Sequence, residues 1–539
     1  MSFISIGFAV FVAAALLLYY IVPVKYRWTV LLVASYVFYW MSGPGNFVYI
    51  ITTTVSAFIC AALIEKKGEK AKTYISENKE SLSKEDRKAY RERAKKIQRI
   101  ILFAGMLINF GLLVLVKYSN ITLTNITNTA TAYINMYRLQ FFGVTDFIPF
   151  VNFVMPLGIS FYTFQTMGYL IDIYYGKYKR ERNLLKFALF VSFFPQIIQG
   201  PISRFPQLSG EIFSENRFSF YNIKSGFYRV MWGLFKKLII ADRVAGFVSA
   251  TVAQRETYSG PYILIAIFAY SMQIYSDFSG GIDVATGVAE MFGIKMTENF
   301  ERPFFSKSIS EYWQRWHITL GAWFRDYVFY PLSINKTVIK AGKFVREHGM
   351  SGLGKRIPIY VPMFFVWVIT GMWHGSQMRF VVWGLFNYVF IILGTELEPL
   401  SLRIVSKFNL DEKKLYMKCY RAFKTFWLMS FLRIFDISHD VPAAFDLFGK
   451  LFTGWHNFDI VNIYENLLLP REDFIVALIA VIVLFIFELI QRSGSVRLKV
   501  FRLPIPAQWA ILSLLIVAVS VFGYYGPGYD AGSFIYGAF

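Results

Sequence analysis

Residues 357–375 read Ile357-Pro-Ile-Tyr-Val-Pro-Met-Phe-Phe-Val-Trp-Val-Ile-Thr-Gly-Met-Trp373-His374-Gly375. The apolar part is about 16 residues long, or about 24 Å at 1.5 Å per helical residue. A bilayer's hydrocarbon core is roughly 30 Å thick, so this run covers most of one. It starts at the basic segment 336–356 and ends on a histidine that should lie deep in the far half of the bilayer. About a dozen stretches along the chain could each cover most of a bilayer in this way. Of the 539 residues, 55% are hydrophobic, 19% aromatic and 17% charged, whereas a soluble domain carries roughly 25% charge. The expected class is an all-α polytopic membrane protein. Disordered, collagen-like and disulfide-scaffold classes are excluded.

Charge sets the orientation. Lys and Arg number 56 against 35 Asp and Glu, a net charge of +21. In a soluble protein that balance points to nucleic acid. Here the cations gather in the gaps between apolar runs, as cytoplasmic loops require, so the expected partners are the lipid bilayer and a phosphorylated substrate, with no nucleic acid. Segment 65–99 holds 13 basic and 7 acidic residues. It reads as a cytoplasmic, solvated helical insert without an apolar face wide enough to pack. Placing it inside puts the amino terminus outside. The first run, Phe3 to Val22, is long enough to span and lacks a basic leader, so it reads as a retained helix.

Further spans are expected over 28–41 and 46–64, joined by a tight turn at Gly43-Pro44-Gly45. Others follow over 100–118, leading outward to a Thr/Asn-rich segment 119–135, and over 148–174, returning to the basic run Lys177 to Arg182. Later spans fall near 358–373, 380–395, 415–437, 473–491 and 507–524. Between 184 and 300, Pro195, Pro201, Gly280 and Gly281 interrupt the apolar runs. Broken helices at membrane depth persist only in protein or beside a wet cavity, so a site is sought there. No internal repeat is visible, which weighs against a transporter or flippase. Cys60 and Cys419 lie far apart and suggest neither a disulfide framework nor a metal site.

Polar groups within apolar spans are costly and usually functional. Of five histidines, His348, His439 and His456 fall in loops. His374 and His317 do not. His317 lies in Ser308-Ile-Ser-Glu311-Tyr-Trp313-Gln-Arg315-Trp316-His317-Ile-Thr-Leu320-Gly-Ala-Trp323-Phe324-Arg325-Asp326. Ser308 followed by Glu311 predicts a capped helix start. On a continuous helix Trp313, His317, Leu320 and Phe324 share one face, which suits a helix at the interface or tucked into a funnel. A third polar island runs from Gln273 through Tyr275 and Asp277 to Asp283. An ionised Asp277 needs a partner, and Arg302, Arg315 and Arg325 are the candidates. Nothing has the ligand grouping of a zinc site, so no metal is expected. No nucleophile elbow or phosphate-binding glycine loop is present. What remains is imidazole acting as acid or base.

These residues resemble the bacterial branch of the membrane-bound O-acyltransferase family. The longest match is Asn299-Phe-Glu-Arg302-Pro303-Phe304 through Ser308, Arg315-Trp316-His317-Ile-Thr-Leu320, Trp323 to Tyr327 and Pro331-Leu332. It is joined by Pro156-Leu157-Gly158 to Gln165, Phe194-Pro195-Gln196 with Gly200-Pro201, the Gln273–Asp283 island, and Gly371-Met-Trp373-His374-Gly375. Gln314 departs from the pattern, and the last residues, 534–539, only partly keep the family's aromatic ending. The resemblance implies one membrane-embedded domain over 1–539 with a catalytic core over 150–390. It implies about 11 transmembrane helices, with re-entrant and amphipathic pieces around a tunnel or funnel.

It further implies His374 and His317 as the catalytic pair, His374 as base with His317 orienting it or handling the leaving thiolate. Tyr275, Trp316 and Trp373 would line the tunnel, and Asp277, Asn299 and Arg315 join them as substrate-binding candidates. The implied reaction passes acetyl from cytoplasmic acetyl-CoA, a substrate rather than a bound cofactor, to an extracytoplasmic polysaccharide. An extracytoplasmic partner acetyltransferase would complete it at the bacterial inner membrane. A D-alanyl transfer from a carrier-protein thioester to teichoic acid and a lipid or sterol acyl transfer are the alternatives on the same fold.

Overall fold

A computed structural model describes residues 4–146, 148, 156–197 and 199–526. Among them the regular structure is helical, with one isolated antiparallel bridge between Phe300 and Trp316. Six helices are long and apolar enough to cross a membrane: Phe47–Glu77, Lys84–Tyr118, Ser351–His374, Met378–Glu396, Arg471–Gln491 and Ile505–Phe522. Ile6–Ile21 is a shorter apolar helix. The chain divides into two compact units. One comprises Lys25–Ile198 and Arg204–Phe213, and the other comprises Met1–Val24, Gln199–Ser203 and Ser214–Phe539.

In the first of these, Arg27–Met41 and Phe47–Glu77 follow one another through a single-turn 3₁₀ segment, Pro44–Asn46, as the Gly-Pro-Gly signal predicts. The charged insert is the tip of a helical hairpin formed by Phe47–Glu77 and Lys84–Phe142, the second helix capped by Ser83. The expectation that it cannot pack is corrected. Ala71, Ile75 and Ala94 are buried, and Tyr74 stacks on Tyr90 at 4.5 Å. Small residues let the two helices approach without a wide apolar stripe. The Thr/Asn-rich segment continues the second helix, where Asn135 exchanges two 2.9 Å hydrogen bonds with Ile148.

The run expected over 148–174 is a helix only over Ile159–Tyr175; residues 149–155 lie outside the described residues. Gly158 precedes that helix with φ +67°, and a Cβ there would stand 1.8 Å from the Ile197 carbonyl oxygen. Only glycine satisfies both conditions. Gln165 donates to the Phe190 carbonyl at 2.8 Å and accepts from Gln196 at 2.7 Å. The Pro156–Gln165 and Phe194–Gln196 motifs therefore tie this unit together internally.

The second unit is centred on Pro261–Met291, a 31-residue helix packed by Phe220–Leu234, a π-helical segment Phe235–Ala241, and Asp242–Ala253. Gly280 and Gly281 do not break this helix, contrary to the sequence expectation. Gly280 and Gly287 are two turns apart, as are Gly226 and Gly233 on the facing helix. A Cβ on Gly280 would meet the Gly233 carbonyl oxygen at 2.8 Å, and one on Gly287 would meet that of Gly226 at 2.6 Å. The glycines serve close backbone approach, the usual device where helices associate without a hydrophobic driving force between them.

Ser351–His374 and Met378–Glu396 form a tight pair on the same principle. A Cβ on Gly371 would be 2.5 Å from the Phe380 carbonyl oxygen, and one on Gly384 would be 2.4 Å from that of Trp367. The span expected over 415–437 is divided into Leu415–Leu432 and Ile434–Ile437.

Candidate active site: two histidines on one tryptophan

The Ser308 hydroxyl accepts from the Glu311 amide at 3.1 Å, starting a helix over Ile309–Arg315 as the capping signal predicts. Glu311 reaches back to the Lys307 amide at 2.7 Å and holds Arg315 Nη2 at 2.6 Å. That helix does not continue through His317. Trp316 turns extended and bridges Phe300, the Glu301 amide donates to the Arg315 carbonyl at 2.9 Å, and the Ile318 amide donates to the Asn299 carbonyl at 3.0 Å. His317 sits at the break with φ +49°, and a new helix runs Ile318–Phe324. The single amphipathic helix expected from spacing is thus two short ones. Non-glycine residues occupy this left-handed region rarely, histidine more readily than most, and such positions cluster at functional sites.

The break aims His317 at Asn299. Asn299 Oδ1 accepts from the Thr319 amide at 3.0 Å and the Thr319 hydroxyl at 2.9 Å, and lies 3.2 Å from His317 Nδ1. A backbone N–H can only donate, so the Asn299 atom facing it is the oxygen. The imidazole nitrogen on that same oxygen is then an N–H. This assigns the Nδ1–H tautomer and leaves the lone pair on Nε2. His317 is 4% exposed, and burial pushes its imidazole down to about 3. It is neutral at working pH.

His374 ends the Ser351–His374 helix and is 3% exposed. Its neighbour Gly375 is needed because a Cβ there would overlap the Phe380 ring at 2.2 Å. The Trp373 ring stands 5.7 Å from the His317 ring and 5.0 Å from the His374 ring. Phe278 closes on His317 at 4.9 Å, and Trp383 on His374 at 4.5 Å. The two histidines are therefore brought into one aromatic cluster through Trp373.

The remaining candidates divide. Asp277 is paired with Lys237 at 2.6 Å and not with Arg302, Arg315 or Arg325; Arg315 is held by Glu311, and Arg325 by Asp326. Lys237 also holds Asp242 at 2.8 Å. Next to it, Lys236 reaches Asp283 at 2.7 Å, and Arg229 joins Asp283 at 2.8 Å to Glu298 at 2.5 Å. Sequence reading missed Arg229, Lys236 and Lys237, although two adjacent lysines inside an apolar run are a signal for buried carboxylates.

Trp316 is 1% exposed. It is stacked on Tyr312 at 5.6 Å with Arg433 over its ring at 4.8 Å. Tyr275 does line a large cavity of about 1030 Å³, together with Ile318, but neither histidine, Trp316 nor Trp373 does. The rings of Trp373, Phe278 and Trp383 surround the imidazoles. Among the described residues no three His, Cys, Asp or Glu side chains group as a metal site.

Residues 180–346, which include His317, match the model of the membrane-bound O-acyltransferase family. The chain is 30% identical over 392 residues to a probable alginate O-acetylase of Pseudomonas syringae pv. tomato, covering 72% of this chain and 65% of that one. It is 31% identical over 376 residues to a probable alginate O-acetylase of Pseudomonas putida, covering 70% of this chain and 67% of the relative. The chain belongs to the membrane-bound O-acyltransferase family. Within the family it is also 29% identical over 241 residues to a teichoic acid D-alanyltransferase of Bacillus subtilis, covering 44% of this chain and 58% of that one. It spans just under two thirds of the length of the first of these relatives. Family membership and the apolar helices make it a multi-pass membrane protein.

Proposed function

We propose that this family member is a membrane O-acetyltransferase that passes acetyl from cytoplasmic acetyl-CoA to an extracytoplasmic polysaccharide, with a partner acetyltransferase outside the bacterial inner membrane. In this reading the amino terminus lies outside. The observation that carries the reading is the pair of buried imidazoles against Trp373, one of them with its tautomer fixed. His374 is the base: it takes the proton of the attacking hydroxyl as that oxygen bonds to the thioester carbonyl carbon. The C–S bond then breaks, and the thiolate takes the proton back. His317 is too weakly basic to compete for the proton, and its Nε2 lone pair orients the hydroxyl instead. Similarity to alginate O-acetylases supports the acetyl group and the polysaccharide class.

The test is acetyl transfer from radiolabelled acetyl-CoA by the purified full chain, with and without candidate acceptor protein. His374→Ala is expected to insert normally and lose about 10²–10⁴-fold of the rate, the usual worth of a general base. Unchanged transfer removes the assignment. Similarity to the teichoic acid D-alanyltransferase supports a second reading, D-alanyl transfer from a carrier-protein thioester. D-alanine in place of acetate on the product distinguishes it.

A further inference from the structure

The cavity beside Tyr275 is lined by neither histidine. Its volume of about 1030 Å³ is at the upper end of small-molecule sites, which run roughly 300–1,000 Å³. One side is built from two of the apolar spans, Arg471–Gln491 and Ile505–Phe522, each of which packs on the π-helical segment Phe235–Ala241. Residues of these spans that line the cavity remain open on the molecular surface: Ile479 is 55% exposed and Leu514 is 70% exposed. On spanning helices that surface meets lipid tails.

The lining also carries four cations (Arg229, Lys236, Arg302, Arg497) and four anions (Asp283, Glu298, Glu301 and, on Arg471–Gln491 itself, Glu488). Arg229, Lys236, Asp283 and Glu298 satisfy one another, and Arg497 is held by Glu290. Glu301 is exposed at the surface, and two less exposed groups, Glu488 and Arg302, stand apart. Glu488 is 2% exposed; one carboxylate oxygen accepts from the Tyr275 hydroxyl, while the other, Oε2, has no hydrogen-bond donor. Arg302, held at φ +48°, has no carboxylate within ion-pairing distance among the described residues, although it feels the charge of Glu488. Leaving a buried carboxylate oxygen unsatisfied is costly. An anion and a cation with spare capacity in one cavity are complementary to a zwitterion. A polyanion such as a coenzyme thioester would require a surplus of cations that the balanced lining lacks.

We propose that this cavity holds one aminophospholipid of the bilayer. Glu488 Oε2 receives the ammonium group, Arg302 receives the phosphate, and the acyl chains leave between Ile479 and Leu514. No covalent step is involved. The site is a resident lipid site, separate from the histidine cluster.

The test is native mass spectrometry of the full chain after exchange into nanodiscs containing equal phosphatidylethanolamine, phosphatidylcholine and phosphatidylglycerol. Phosphatidylethanolamine is expected at one per chain. Glu488→Gln keeps the side-chain volume and an acceptor for Tyr275 but loses the charge. It is expected to lower retention about tenfold, the usual worth of one charge-assisted hydrogen bond. Leu514→Trp fills the apolar mouth without touching the headgroup wall, and is expected to lower retention of the lipid as well. It carries the test if Glu488→Gln does not fold. Equal retention of the three lipids overturns the proposal, as does phosphatidylethanolamine retention unchanged in both variants. Displacement of the lipid by acetyl-CoA also overturns it, since the cavity would then belong to the acyl donor.

Discussion

Asn299 Oδ1 collects the Thr319 amide, the Thr319 hydroxyl and His317 Nδ1 at one point, the last at 3.2 Å. That oxygen fixes both the ring's orientation and its tautomer. Asn299→Ala removes the anchor while leaving both histidines in place, so the chain should still insert and acetyl transfer should fall about 10–100-fold, the usual cost of losing an outer hydrogen-bond partner. Asn299→Asp retains the acceptor and should recover most of the rate. Labelled acetyl transfer by the two variants checks this, and equal rates in both would leave the anchor without a role.

The crossing of Phe220–Leu234 with Pro261–Met291 rests on four glycines in two reciprocal contacts. At Gly287 a Cβ would stand 2.6 Å from a carbonyl oxygen that cannot move without displacing its helix. Gly287→Leu should therefore cost more than the roughly 1–3 kcal/mol typical of overpacking, and the variant should be recovered aggregated. Gly210, which has open space around it, is the matched control: Gly210→Ala should leave the thermal midpoint in detergent unchanged or slightly raised.

The long apolar helices from 351 to 396 and from 471 to 522 were legible because a bilayer leaves an apolar chain no other way to satisfy its backbone. The histidine pair was legible from motifs. The break at His317 was not, since it arises from pairing with residues 299–301, a contact that local periodicity does not report. Nor was the partner of Asp277. Lys237 reaches it only because Gly233 and Gly280 bring their helices close, and crossing geometry is not encoded in spacing along either helix. Trp316 and Trp373 looked alike in sequence, yet one is packed between Tyr312 and Arg433 and the other touches both imidazoles. Residue type cannot separate those fates. Glu488 was missed although a carboxylate within an apolar span is itself a signal.

The ion pair between Lys237 and Asp277 joins two buried groups, Asp277 being 1% exposed. Lys237→Met removes the cation that Asp277 and Asp242 share, and breaking a buried pair typically costs about 3–5 kcal/mol. Adding Asp277→Asn should restore part of the thermal midpoint, Asp242 still lacking the lysine. Activity then separates the two roles open to Asp277. Recovery of transfer along with stability assigns it to the fold, whereas a stable but inactive double variant assigns it to the substrate.

His317 also predicts how stability depends on pH. Its folded-state value, about 3, lies below the ordinary value of 6.5, so between the two the unfolded chain binds the extra proton. Stability is then full above about pH 6.5 and falls as the pH drops toward 3. Over the first 1.5 units the loss from this group is about 2 kcal/mol. His317→Gln removes the titrating group and keeps a side chain that can donate to Asn299, so its thermal midpoint should decline less than wild type between pH 7 and pH 5. His456, exposed in a short 3₁₀ turn, is the control, and His456→Gln should follow the wild-type slope. Parallel slopes in wild type and His317→Gln would show that the ring is hydrated in the folded protein, and the assignment of a neutral, orienting His317 would fail with it.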